Sequence, residues 1–112
     1  STPPLPPHSL TPTDALAQLS DGWAPFIIDV RQPSEIDIAS LPITDRNVPH
    51  KQILPSHIPL DGDVLVFCKG GVRSKAAINT LIGGGVDPNR LFDLVGGILQ
   101  WQSEVDEKLV RY

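Results

Sequence analysis

The chain has a single cysteine, Cys68, which excludes an internal disulfide framework and any zinc site built on paired cysteines. No apolar run is longer than a strand, so nothing reads as a membrane span, and the first residues do not resemble a signal peptide. Basic residues are scarce: nine Lys and Arg stand against thirteen Asp and Glu, the net charge is −4, and no basic stripe is present, which argues against nucleic acid as a partner. A nucleotide-binding Gly-x-Gly-x-x-Gly is missing as well, so no nucleotide site of that kind is expected. No cofactor or metal is expected, and a cytoplasmic setting is the default. The 112 residues leave room for one compact domain.

The lone thiol occupies a distinctive place. Cys68 stands where the apolar run Val64–Phe67 meets Lys69, Gly70, Gly71, Val72, Arg73 and Ser74, a glycine-bearing turn that opens a helical stretch from Lys75 to Ile82. Such a strand, loop and helix can aim the N–H groups from Lys69 to Ser74 at one point, with the positive end of the helix dipole behind them. Local charge also runs against global charge, since Lys69, Arg73 and Lys75 fall within eight residues that contain no acid. Cations and a helix N-terminus lower a cysteine pKa from ~8.5 to roughly 3.5–7.5, so Cys68 is expected as a thiolate nucleophile at neutral pH. The alternative is a small buried hydrophobe at a strand end, the usual fate of a free cysteine. The Gly-Gly turn and Arg73 favour the nucleophile.

Strands and helices alternate along the rest of the chain. Thr11 is the expected N-cap of a helix from Pro12 to Leu19, with proline in its first turn. Phe26–Val30 reads as a buried strand, Pro33-Ser34-Glu35 opens a short helix, and Val48-Pro49 is a brief extended segment. His50 to Ser56 reads as a helical turn, and Asp61-Gly62-Asp63 turns the chain into Val64–Phe67. Ala76, Ala77, Thr80 and Leu81 lie on helical spacing, and Gly83-Gly84-Gly85 stops that helix. Leu91–Leu94 is the last strand and 97–105 the last helix. This alternation predicts an α/β domain with a mostly parallel sheet covered by helices on both faces. Residues 1–12 hold five of the twelve prolines and no apparent core strand, so they read as a proline-rich tail or linker before a domain spanning 13–112.

Three ordered segments carry a family resemblance over Thr11 to Tyr112. Six residues run from Cys68 to Arg73 inclusive, and this loop resembles the active loop of the rhodanese sulfurtransferases, whose cysteine becomes a persulfide. Phe26 to Glu35, with Asp29-Val30-Arg31 then Pro33 and Glu35, is similar to that family's first signature, and Leu94 to Trp101 to its Gly-Gly-apolar-x-x-Trp segment. Where the family usually has Gly-His-Ile-Pro-Gly-Ala, this chain has Ile38-Ala39-Ser40-Leu41-Pro42-Ile43, a departure that affects a turn and leaves the active loop intact. The ending from Gly96 through Val105-Asp106 to Val110-Arg111-Tyr112 resembles the C-terminal rhodanese domains of the adenylyltransferases of molybdopterin and thiamine biosynthesis.

The resemblance implies that Cys68 takes the outer sulfur of thiosulfate or of a partner's persulfide. The acceptor it implies is cyanide in vitro, and in the cell a ubiquitin-like sulfur-carrier protein adenylated by a fused adenylyltransferase domain. Within the loop, Lys69 would gather the anionic donor, Arg73 would supply charge or orient the loop, and Ser74 would donate to the persulfide or cap the helix. Asp29, at a strand end, either neighbours the thiol or fixes loop backbone, the second being favoured, and Arg31 pairs with Glu35 or another nearby acid. His50 and His57 read as loop residues, and Trp101 and Trp23 as core or rim anchors. Related phosphatases and arsenate reductases usually carry one residue more in this loop, which favours sulfur over phosphate. A non-catalytic interaction module of the same fold is the other alternative, and a pure scaffold has no need of the cysteine or its basic loop.

Overall fold

The computed structural model describes residues 8–105 apart from Ala39 and Pro42. Parts of the expected tail, of the Ile38–Ile43 turn and of the C-terminal resemblance from Asp106 onward lie outside the described residues.

The central strand is β4, Val64–Phe67, and its sequence explains its place. All of its residues are buried, with Val64 and Val66 on one face and Leu65 and Phe67 on the other. A strand apolar on both faces belongs in the middle of a parallel sheet. On one side it pairs with β2, Phe26–Asp29, and on the other with β5, Leu91–Leu94. Two short strands, β1 at His8–Leu10 and β3 at Arg46–Asn47, complete a five-stranded parallel sheet of order β1-β5-β4-β2-β3. From β2 the chain runs out to one edge, and from β4 toward the other. The crevice at the carboxyl ends of β2 and β4 is therefore the switch point where open α/β sheets build their sites.

Helices cover both faces, as expected. On one side α1 (Pro12–Ser20) and α4 (Gly97–Glu104) pack over Ile27, Leu65, Phe67 and Leu94, with Ala15, Ile98 and Trp101 in the same cluster. On the other, α3 (Val72–Gly83) buries Ala77, Ile78 and Leu81 against Ile28, Val64, Val66 and Leu91. Fully burying each such aliphatic side chain contributes about 1.5–3 kcal/mol. Thr11 caps α1 by accepting from the Asp14 N–H at 3.1 Å. A single turn of helix, α2 (Pro33–Ile36), follows β2.

The structure corrects several expectations. The segment read as a tail contains β1, whose Leu10 is buried and pairs with Leu94. The extended segment expected at Val48-Pro49 lies two residues earlier, and Val48 and His50 still donate to the carbonyls of Asp29 and Val30 before the ladder ends. A 3-10 turn occupies Pro55–His57, at the end of the stretch read as helical. Helix α3 starts at Val72 instead of Lys75, so Arg73 and Ser74 belong to its first turn. Its inward stripe is Ser74, Ala77, Ile78 and Leu81, while Ala76 and Thr80 face out.

Candidate active site

Cys68 follows β4 and is 1 % exposed. Its Sγ accepts from the Gly71 N–H at 3.0 Å and the Ser74 N–H at 3.4 Å. Gly71 has φ +98°, a left-handed conformation that favours glycine, and this turns the chain straight into α3. The sulfur consequently faces the positive end of a twelve-residue helix. Of the other loop residues, Val72 is 80 % exposed and Gly70 lies at the surface, so both form rim.

The loop carbonyls are held on the opposite side. Ile98 donates its N–H to the Cys68 carbonyl at 2.9 Å and Leu99 to that of Lys69 at 3.2 Å, so the first turn of α4 satisfies its own free donors on the active loop. With those carbonyls drawn back, the N–H groups face the sulfur. Gly96 and Gly97, at φ +73° and +59°, allow this contact, and a Cβ on Gly97 would lie 2.3 Å from the Cys68 oxygen.

A chain of ion pairs anchors the loop from the β2 side. Asp29 and Arg31 are 1 % and 0 % exposed, and the Arg31 guanidinium lies 2.6 Å from the Asp29 carboxylate. Removing one member of a buried pair leaves an uncompensated charge, at a cost of about 3–5 kcal/mol. Asp29 also accepts from the Arg31 backbone N–H at 2.9 Å. Arg31 reaches on to the Glu35 carbonyl at 3.3 Å. The Glu35 carboxylate, however, belongs to Arg73, whose fork grips it at 2.6 and 2.7 Å. Of the acids near the strand end that could pair with Arg31, Asp29 is therefore the partner, being buried with it. Asn47 closes the arrangement by donating from Nδ2 to the carbonyls of Asp29 and Arg31, both at 2.9 Å.

Arg73 first, through its hydrogen bond, then the Gln32 N–H and the nearby positive charges outweigh desolvation and lower the Glu35 pKa from 4.5 to about 2. A carboxylate with a depressed folded-state pKa adds stability that is complete above its unfolded value and lost as pH falls through the folded one. Thermal unfolding of the wild type should therefore lose this contribution between pH 4.5 and about 2. A Glu35→Gln variant should already be less stable at pH 6 and should decline less steeply across that window. Parallel stability curves for the two proteins would show that the pair adds nothing.

Three contributors were not singled out in the sequence: Glu35 as the partner of Arg73, Asn47, and Asp93. Asp93 is 2 % exposed, and its Oδ1 lies 2.6 Å from the hydroxyl of Ser74. Ser74 thus has its N–H on the sulfur and its side chain on Asp93. Trp101 packs with Phe67 and Ile98 beneath the loop, as expected of an anchor. Trp23 donates to Asp63 at 2.6 Å and meets Phe92 edge-on, at the rim. Among the described residues, no helix is long and apolar enough to cross a membrane.

The chain is similar to known proteins along most of its length. Residues 11–104 match the family model of the rhodanese-like domain. A sulfurtransferase of Allochromatium vinosum is 34 % identical over 91 residues, covering 80 % of this chain and 83 % of that protein. A probable adenylyltransferase/sulfurtransferase, MoeZ, of Mycobacterium tuberculosis is 29 % identical over 109 residues, which is 93 % of this chain and 27 % of the relative. The chain thus spans about a quarter of that longer protein. Among solved structures, a rhodanese-related protein of Thermoplasma volcanium aligns with a TM-score of 0.72 at 27 % identity, covering 88 % of this chain and 93 % of its own.

Proposed function

This chain belongs to the rhodanese-like domain family, and from that premise we propose that it is a sulfurtransferase that carries sulfane sulfur as a persulfide on Cys68. The observation that carries the reading is the convergence of the Gly71 and Ser74 N–H groups on the Cys68 sulfur at the start of α3. Fixed donors aimed at an atom that holds negative charge stabilise it without reorganisation.

In the first half-reaction the Cys68 thiolate attacks the outer sulfur of thiosulfate. The S–S bond of the donor breaks, its electron pair leaves with sulfite, and Cys68 keeps the transferred atom as Cys–S–S⁻. In the second, a nucleophilic acceptor attacks that outer sulfur and Cys68 leaves as thiolate. With cyanide the product is thiocyanate. The chain has no second cysteine to resolve the persulfide, so the sulfur must pass to an external acceptor. Lys69, half-buried beside the thiol, would gather the anionic donor as a point charge. Arg73, its fork engaged on Glu35, would hold the loop in shape. Gly70 and Val72 would form the rim that the donor crosses, and Asp29 with Arg31 would support the loop from β2.

For the acceptor in the cell, the likeness to MoeZ supports a ubiquitin-like sulfur carrier activated by an adenylyltransferase domain, fused or separate. The reading keeps a reducing, cytoplasmic setting, in which a lone reactive thiol persists. The test is the intact mass of the protein after incubation with thiosulfate. A gain of one sulfur atom, reversed by cyanide or a reducing thiol, is expected, and an unchanged mass in the presence of an active donor would refute the persulfide.

A further inference from the structure

Asp93 lies on the face of β5 that α3 covers. Ser74 and Lys75 approach it from that helix, Val66 faces it across the ladder from β4 with Cys68 two residues further on, and Ser9 is its neighbour on β1. Of these groups, Lys75 and Cys68 are the titratable ones.

The Ser74 hydroxyl sits between two acceptors, 2.6 Å from Asp93 Oδ1 and 3.1 Å from the Gly71 carbonyl. A hydroxyl has one proton to give. Were Asp93 ionised, that proton would go to the carboxylate, and the Ser74 oxygen would face the Gly71 carbonyl lone pair to lone pair. The second carboxylate oxygen, Oδ2, is buried with no hydrogen-bond partner among the described residues. Leaving part of an ionic charge there is far more costly than leaving a neutral carbonyl. Were Asp93 a neutral acid, its own proton would go to Ser74, the Ser74 proton would go to Gly71, and each short contact would have its hydrogen. Burial also pushes the Asp93 pKa up, with the Ser74 hydrogen bond and the Lys75 charge opposing it less strongly.

Gly71 and Ser74, joined by this relay, are the two residues whose N–H groups hold the Cys68 sulfur. We propose that Asp93 is a positioning residue held as a neutral acid, and that its hydrogen bond through Ser74 to the Gly71 carbonyl fixes both N–H donors on the sulfur of Cys68. Neutrality has a second effect. It keeps another negative charge away from the persulfide, a role that rests on the sulfur-transfer reading above.

Carbon-13 NMR of the aspartate side-chain carboxyls tests the protonation state at about pH 6, where ordinary exposed carboxylates have ionised. One resonance should keep the shift of a neutral acid and vanish in Asp93→Asn. A full set of carboxylate shifts would overturn the proposal. Asp93→Asn, whose amide N–H can replace the acid O–H, should keep Cys68 alkylation by iodoacetamide and sulfur loading from thiosulfate within about twofold of wild type, and Asp93→Ala should lose about tenfold in both, the scale of one hydrogen bond. An Asn variant as impaired as the Ala variant would equally overturn it. If Asp93→Ala does not fold, the NMR shift and the Asn variant decide. A neutral Asp93 in a wild-type protein that takes up no sulfur would leave this assignment standing while refuting sulfur transfer.

Discussion

Cys68→Ser is expected to reduce sulfur uptake from thiosulfate to background while leaving the fold in place. A serine hydroxyl does not ionise near neutral pH, so the reaction loses its nucleophile, and with one cysteine in the chain no other thiol can substitute. The effect should reach several orders of magnitude, on the order of 10⁴-fold or more by analogy with other nucleophile deletions. The fold should tolerate the change because the Ser oxygen can accept from the same Gly71 and Ser74 N–H groups that now meet the sulfur. An unsatisfied buried hydroxyl would instead cost roughly 1–3 kcal/mol. Intact-mass measurement and a cyanide-coupled thiocyanate assay report the outcome. A serine variant that still gains sulfur would move the chemistry away from Cys68.

Gly97→Ala should be the most damaging substitution that touches no reactive atom. Its Cβ would lie 2.3 Å from the Cys68 carbonyl oxygen and 2.5 Å from that of Lys69, both backbone atoms with little room to yield. At φ +59° the new residue also pays a left-handed penalty of about 1–2 kcal/mol. Separating α4 from the loop would weaken the Ile98 and Leu99 hydrogen bonds, allowing the carbonyls to rotate and the opposing N–H groups to lose aim. A shift near 1 Å can cost about 10²-fold in rate, so kcat/KM should fall on that order and Tm should drop with it. Gly85→Ala is the control. Its φ is +101°, but nothing lies within 4 Å of the added Cβ and it stands at the far end of α3, so it should lose stability while keeping kcat/KM. Equal losses of kcat/KM in the two variants would mean that general destabilisation explains the effect.

What could be read from the sequence was local or tied to family pattern. The all-apolar run Val64–Phe67, the Thr11 cap, the glycine stop after α3 and the Cys68 loop each declare themselves within a few residues. What escaped depends on partners far along the chain. Strand β1 is three residues with His and Ser among prolines, and only its parallel pairing with β5 makes a strand of it. The sequence left Arg31 a choice between Glu35 and another nearby acid; Asp29 occupies it, and the Glu35 carboxylate goes instead to Arg73, 38 residues away. Asp93 interrupts an apolar run and would pass for an outward-facing residue. Its burial is set by Ser74, 19 residues earlier on a helix whose start the glycine turn had obscured.

The sheet is longest in its middle and shortest at its margins: β1 has three residues and β3 two, against four in each of β2, β4 and β5. An open edge exposes unpaired donors and acceptors that can recruit a strand from another molecule, and the recruitment strengthens with the length of the edge. Here the strands able to sustain a long ladder are enclosed, and the outermost ones offer too few rungs to template another chain. Among the described residues, the strand lengths themselves thus disfavour edge-to-edge pairing.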